Sequence, residues 1–260
     1  MTMTREAIEK VLEIGTIETH KIGEQTYSTQ RLHLVQEPTP AEITVRSLSG
    51  LVGYVKSEFD TTEPVMIHIV NPTTVRCFTA VNGDKARSTY IEAQASIPRF
   101  NFGSFYDREE FNIALQSGFV QNNHRDIVLQ VVGTVVENDV KEIGDDGVSQ
   151  AVTVKTGVAS RGNAKVPNPV QLSPYRTFVE VEQPESKFVF RMREGARCGL
   201  FEADGGAWKL EAMNNIKEYL KEALAQEIES EKVYHLYKLH TQVSQSLIQR
   251  YRHSLYFLPL

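Results

Sequence analysis

Four basic side chains in one predicted hairpin are the residues of this chain best suited to bind an anion. Lys187, Arg191 and Arg193 are separated by even numbers of residues, and such side chains share one face of a β-strand. Arg197 belongs to the same hairpin. Arginine and lysine bind phosphate through charge and hydrogen bonds. The pattern therefore predicts an anion-binding face, with ordinary solvated basic side chains as the alternative.

An aromatic segment, residues 99–106, offers a second type of binding chemistry. Within it, Arg99 is followed by Phe100, Phe102, Phe105 and Tyr106. Arg99 and Phe102 are predicted to contact a base, or the adenine of a nucleotide, by stacking and cation–π interaction. Clustered aromatic rings also pack into protein cores, and packing is the favoured interpretation of the segment.

Asp145 and Asp146 form an adjacent pair of carboxylates between Gly144 and Gly147. Carboxylate oxygens suit Mg²⁺ and Ca²⁺, which would permit a metal-dependent hydrolase or nuclease. The same residues are ordinary turn formers, and the ligand spacing of an EF-hand is absent. The turn is the favoured interpretation, so no metal site is predicted.

Motifs for cofactor binding or covalent catalysis are missing from the sequence. It contains no G-x-G-x-x-G, G-x-x-x-x-G-K-[ST] or G-x-S-x-G, and its seven histidines lack metal-ligand spacing. Cys198 lies near Arg193 and Arg197, whose charges would lower a thiol pKa. A core-facing strand cysteine is the favoured alternative. We therefore predict no catalytic residue, no cofactor and a protein that acts without catalysis.

The composition limits the environment and the partners of the chain. The 33 acidic and 28 basic residues give a net charge of −5, which does not favour non-specific binding to nucleic acid. Two cysteines are too few for a disulfide framework. The sequence starts without the apolar core of a secretory signal and contains no apolar run of about 20 residues. A cytoplasmic protein without a membrane partner is expected.

Hydrophobic periodicity predicts a mixture of helices and antiparallel strands. The most regular segment is a meander with strands at 65–70, 74–81 and 86–95. Further strands are predicted around 27–35, 151–158, 170–172, 177–181, 188–193 and 198–202. Helices are predicted at 4–13, 48–58, 107–116, 126–136 and 209–230. Asp107 is the predicted N-cap of the third helix, with Glu110 three residues later. The segment 126–136 is ambiguous, because its apolar residues have helical spacing while its valines favour a strand. These elements indicate an α+β fold: antiparallel sheets built from hairpins or a meander, with flanking helices and a long C-terminal helix.

The charge pattern changes abruptly at Lys232, after which the sequence contains no Asp or Glu. We predict a single α+β domain over residues 1–231, subdivided near 118–125, and a helical C-terminal extension over 232–260. The extension has an apolar stripe of Leu236, Leu239, Val243, Leu247 and Ile248. Such stripes are often buried against another subunit, so a homo-oligomer is expected.

Four segments resemble the YfdQ-like proteins of tailed phages and prophages. They are residues 47–56, 144–157, 174–178 and 201–211, and the resemblance covers about residues 40–228. It implies a phage or prophage setting and the cytoplasm of a bacterial host. It brings no catalytic residues, because the family has no established activity.

Together these observations predict a non-catalytic phage protein that self-assembles and acts by binding. Its ligand would be a host factor or a nucleotide signal that it sequesters, or a host defence protein that it antagonises. One alternative is a single-stranded-DNA-binding accessory of phage replication or recombination, with contacts from Arg99, Phe102 and residues 187–197. A metal-dependent hydrolase or nuclease using Asp145 and Asp146 is the least favoured alternative.

Overall fold

The computed structural model describes residues 4–16, 18–22, 25–28, 40–82, 86–134, 143–145, 150–152, 166–193 and 195–235. In chain order, the elements are α1 (Arg5–Gly15), β1 (Thr19–Ile22), β2 (Gln25–Ser28), β3 (Ile43–Val45), α2 (Leu48–Ser57), β4 (Val65–Asn71), β5 (Thr74–Phe78), β6 (Thr89–Gln94), β7 (Phe105–Tyr106), α3 (Arg108–Gly118), α4 (Asn123–Thr134), β8 (Ile143–Asp145), β9 (Gln150–Val152), β10 (Val170–Leu172), β11 (Ser186–Arg193), β12 (Arg197–Glu202), α5 (Trp208–Ala223), α6 (Ala225–Glu229) and β13 (Val233–His235).

The chain divides into two units, residues 1–39 and 40–260. In the first unit, Thr4 caps α1 by accepting a hydrogen bond from Ala7 N at 3.3 Å, and β1 pairs with β2 as an antiparallel hairpin. All other elements belong to the second unit. No described helix is long and apolar enough to cross a bilayer.

The first sheet of the second unit has the strand order β13-β4-β5-β6-β3. Its three central strands are antiparallel, which confirms the predicted meander, while β13 and β3 add parallel edges. Val65, Ile67 and Ile69 alternate along β4 and are buried. Helices α2 and α5 cover that face, and these buried side chains complete the first core: Leu48, Leu51, Val52, Ile216 and Leu220.

The second sheet has the strand order β10-β11-β12-β7 and is antiparallel throughout. Phe188, Phe190 and Met192 alternate along β11 and point into the second core with side chains of α3 and α4. Helix α3 begins at Asp107, which accepts a hydrogen bond from Glu110 N at 2.8 Å, as the sequence predicted. Residues 126–134 of the ambiguous segment 126–136 lie in α4, which confirms the predicted helix there, and residues 135–136 lie outside the described part of the chain.

The segment between β10 and β11 passes from one core to the other. Val170 belongs to the second core, whereas Phe178 belongs to the first. The predicted strand at 177–181 is wrong, because this segment turns instead of pairing. The buried Gln183 side chain holds the turn: its Oε1 accepts from Arg176 N at 3.0 Å and Thr177 N at 3.3 Å. Its Nε2 donates to Phe178 O at 2.9 Å and to Val181 O at 3.1 Å.

The fold class is α+β with mostly antiparallel sheets, as predicted, but the long helix at 209–230 is not formed. Helix α5 ends at Ala223, and α6 follows after Leu224, whose φ of −112° and ψ of 26° are not helical. Leu224 is buried in the first core. The break keeps its side chain in the core while the chain turns back toward β4, where Val65 N donates to Lys232 O at 2.9 Å.

The predicted helical extension begins with a strand, because Val233–His235 is β13 and pairs with β4. Residues 236–260 lie outside the described part of the chain. Self-assembly through that extension therefore stays a prediction, as does the subdivision near 118–125. The predicted strands at 27–35 and 151–158 also lie mostly outside the described residues, apart from the ends of β2 and β9.

We predict that Gln183→Ala lowers the free energy of unfolding by about 3 kcal/mol or more, since one unsatisfied buried polar group costs about 1–3 kcal/mol. The change leaves four backbone groups of the turn without their partner. Urea denaturation followed by circular dichroism measures the change. Gln116→Ala is the matched control, since Gln116 is exposed on α3 and its loss should cost less than about 0.5 kcal/mol. Equal losses in the two variants would contradict the role assigned to Gln183.

Candidate functional site

The face of the second sheet opposite the second core carries the basic residues predicted to bind an anion. On β11, Lys187 and Arg193 are exposed and Arg191 is half-buried. Arg193 pairs directly with Arg197 of β12, so both side chains lie on that same face. The structure thus brings together Lys187, Arg191, Arg193 and Arg197, and we call this surface the basic face.

Two aromatic rings lie among these basic side chains. Phe201 of β12 and Phe105 of β7 meet edge-to-face with ring centroids 5.4 Å apart. The Arg193 guanidinium lies 3.9 Å from the centroid of the Phe105 ring, in cation–π contact. Gly199 permits this arrangement, because a Cβ there would lie 2.8 Å from Ser104 O and 3.3 Å from atoms of both rings.

The charges of the basic face are not neutralised within the described residues. No carboxylate of that part of the chain lies within 4.0 Å of its nitrogen atoms. Arg191 Nη1 donates to Phe190 O at 3.2 Å, and Arg197 Nη2 donates to Phe105 O at 3.4 Å. Like charges directly opposite on a sheet destabilise it, so the facing pair Arg193 and Arg197 favours a bound anion.

The other two predicted ligand residues are not part of this surface. Phe102 stacks on Phe188 of the second core, with centroids 5.1 Å apart and an interplanar angle of 16°. Phe102 is therefore a packing residue, which was the favoured interpretation of the aromatic segment. Arg99 is exposed before β7, and no contact among the described residues joins it to the basic face.

Phe105 and Phe201 were not assigned a binding role from the sequence. Phe201 lies four residues after Arg197 on the same strand, so even spacing alone would have placed it on the basic face. Phe105 belongs to the aromatic segment, but the local sequence does not show which of its rings faces outward and which face the core. Only the pairing of β7 with β12, Phe105 opposite Gly199, decides that question.

Cys198 points away from the basic face into the second core. Burial raises the pKa of its thiol to about 12, and the charge of Arg108 opposes this only in part. Neighbouring arginines therefore do not activate it. This confirms the core-facing interpretation of Cys198.

An ionic cluster around the buried Arg176 connects the second sheet with the start of α5. Arg176 Nη1 donates to Glu202 Oε1 at 2.7 Å, Nη2 donates to Ser186 Oγ, and the guanidinium lies 3.9 Å from the Trp208 ring centroid. Burial lowers the pKa of Arg176 to about 10, so it stays charged at neutral pH. Ser186 Oγ in turn donates to Asp204 Oδ2 at 2.7 Å.

This cluster was not predicted, because its members are distant in sequence. Burial disfavours the ionised Asp204, but hydrogen bonds from Ser186 and from the backbone of Gly206 and Trp208, together with the charge of Arg176, outweigh it and hold the pKa of Asp204 below its usual value. An anionic acceptor with a lowered pKa is a poor general base. The arrangement orients Ser186 and Trp208 rather than activating a nucleophile.

The predicted acidic pair can be followed only in part. Asp145 ends β8, whereas Asp146 lies outside the described residues. Among the residues that the structure describes, no group of three or more His, Cys, Asp or Glu side chains has a metal-binding arrangement.

No protein-family model, curated protein or solved structure matches this chain. The resemblance to YfdQ-like phage proteins therefore stays a prediction, and the candidate function depends on the geometry of the site.

We predict that both cysteines are unreactive in the native state, because burial raises the pKa of Cys77 and of Cys198 to about 12. Iodoacetamide at pH 8 should label neither thiol in native protein and both in urea, as counted by mass spectrometry. Ser230→Cys supplies an exposed thiol as the positive control. Rapid native labelling of Cys198 would contradict its assignment as a core residue.

Proposed function

We propose that this protein is a non-catalytic binding protein that holds single-stranded nucleic acid on its basic face. One observation carries the proposal: an exposed sheet face combines unpaired arginines with the paired rings of Phe105 and Phe201. Arginines bind phosphates and can stack on bases, and aromatic rings stack on bases of any sequence. This supports the alternative of a strand-binding accessory, with Phe105 and Phe201 in place of Phe102.

A single strand suits this surface better than a duplex. Stacking on a side chain requires a base that is unpaired and turned outward, whereas reading a duplex requires an element that enters a groove. Lys187 and Arg193 are six residues apart on β11, which corresponds to about 20 Å of strand. The face can therefore contact several consecutive phosphates of an extended strand.

The net charge of −5 does not conflict with a local polyanion site. Within about 8–10 Å, the Debye length at moderate salt, nearby charges dominate the potential. Four cations are present on the basic face, and the carboxylates of the described residues lie beyond salt-bridge distance from them. Binding should be strongest at low salt, because counterions released from the strand drive it.

Other parts of the predicted function stay predictions. Sequestration of a host factor or nucleotide signal, antagonism of host defence, self-assembly and a phage setting depend on the resemblance and on residues 232–260. In a phage setting, a strand-binding protein would serve replication or recombination.

We predict that a fluorescent single-stranded oligonucleotide of mixed sequence binds with strong salt dependence in anisotropy titrations. With four phosphate contacts, log K against log salt should have a slope of about −2.8, since each contact to a single strand contributes about −0.7. In the triple variant R191Q/R193Q/R197Q, affinity should fall and the slope should approach about −0.7. The triple variant K56Q/K217Q/K221Q has the same net charge and is the control. Equal binding by both triple variants would refute the site.

The rings should contribute affinity without changing the salt dependence. We predict that Phe105→Leu and Phe201→Leu each weaken binding by about 1–3 kcal/mol, the value of one stacked base, at an unchanged slope. Phe59→Leu is the control, because Phe59 is 83% exposed and lies in the connection between α2 and β4, which belongs to the first sheet. Thermal unfolding of each variant checks the fold. Unchanged affinity in both folded variants would show that the rings do not stack on bases.

A further inference from the structure

A groove of about 440 Å³ lies at the Lys187 end of the basic face, between the second sheet and the first turn of α5. Its volume is within the range of small-ligand sites. Its lining includes Gln171, Glu185, Lys187, Asp204, Trp208 and Glu211, with Ser186 beside them. Lys187 belongs to both surfaces, so a strand on the basic face leads directly into the groove.

The acceptors of this groove are carboxylates. Glu185 and Glu211 are exposed and have no ion pair with another described residue. Asp204 is already engaged by Ser186 and Gly206 N. Free carboxylates repel phosphate but accept hydrogen bonds from amino groups, as Asp and Glu do from N4 of cytosine.

Trp208 forms a rigid wall of the groove. Arg176 lies against its ring and fixes it, and Lys187 is the only cation among the described lining residues. The Trp208 Nε1–H is buried and has no hydrogen-bond partner among the described residues. Because that donor has no accessible surface, Trp208 offers a ligand in the groove only apolar ring surface.

We propose that this groove receives one unstacked nucleobase that carries an exocyclic amino group, from the strand whose phosphates lie on the basic face. Lys187 binds the adjoining phosphate, and Glu185 and Glu211 accept from the amino group. This inference rests on the proposed function. A metal ion is a weaker candidate, because the described residues bring no three potential ligands together in a metal-binding arrangement.

Oligonucleotides of deoxycytidine and deoxyuridine test the inference, because cytosine and uracil are alike in size but only cytosine has the amino group. We expect the full-length protein to bind the cytidine oligonucleotide about tenfold more tightly in anisotropy titrations, a typical gain for one base contact. In the double variant E185A/E211A, which removes both acceptors, the ratio should fall toward one, while affinity for the uridine oligonucleotide is retained. E218A/E229A, on exposed parts of α5 and α6, is the control with an equal change of charge.

The outcomes separate the two proposals. Equal binding of both oligonucleotides by the native protein, or a preference that persists in E185A/E211A, would overturn the groove inference and leave the basic face in place. Failure to bind either oligonucleotide at low salt would overturn the proposed function itself. All four replaced glutamates are exposed or outside the cores, so the variants should fold.

Discussion

The turn held by Gln183 is the constraint on which the second unit depends. The chain must leave the second core after Leu172 and place Phe178 in the first core. A single β-bridge between Pro174 and Phe119 pairs the start of this segment, but residues 176–181 have no strand partner. A buried backbone without partners would be costly. One amide side chain replaces a ladder of strand hydrogen bonds, and it also fixes the backbone of Arg176.

Fixing Arg176 has consequences beyond the turn. Its guanidinium joins β12 through Glu202, β11 through Ser186 and the start of α5 through Trp208. Helix α5 in turn covers the first sheet with Ile216 and its neighbours. The groove beside Lys187 is therefore formed by elements that two buried side chains hold in place, which favours a preorganised binding surface.

Local patterns predicted what depends on local physics. The even spacing of the arginines along β11 predicted that they share one face, and the N-cap Asp107 predicted the start of α3. Both predictions depend on residues only a few positions apart. The turn at 177–181 was missed, since its sequence resembles a strand. It forms a turn because the nearby Gln183 is buried, and that burial depends on packing that the local sequence does not show. The outward ring of Phe105 likewise depends on long-range pairing with Gly199. The alternation of side chains along a strand shows which of them share a face, but it does not show which residues of the neighbouring strands lie beside them.

The opposite charges of the basic face and the groove determine how a ligand can lie there. A phosphate is attracted by Arg191 and Arg193 but repelled at Glu185 and Glu211, so the backbone of a strand cannot enter the groove. A base with an amino group is uncharged and can supply donors to those carboxylates. The groove thus excludes the phosphates that the basic face binds, which is how charge gives specificity and orientation more than affinity. A single strand can satisfy both surfaces if its phosphates lie on the basic face and one base beside Lys187 points into the groove.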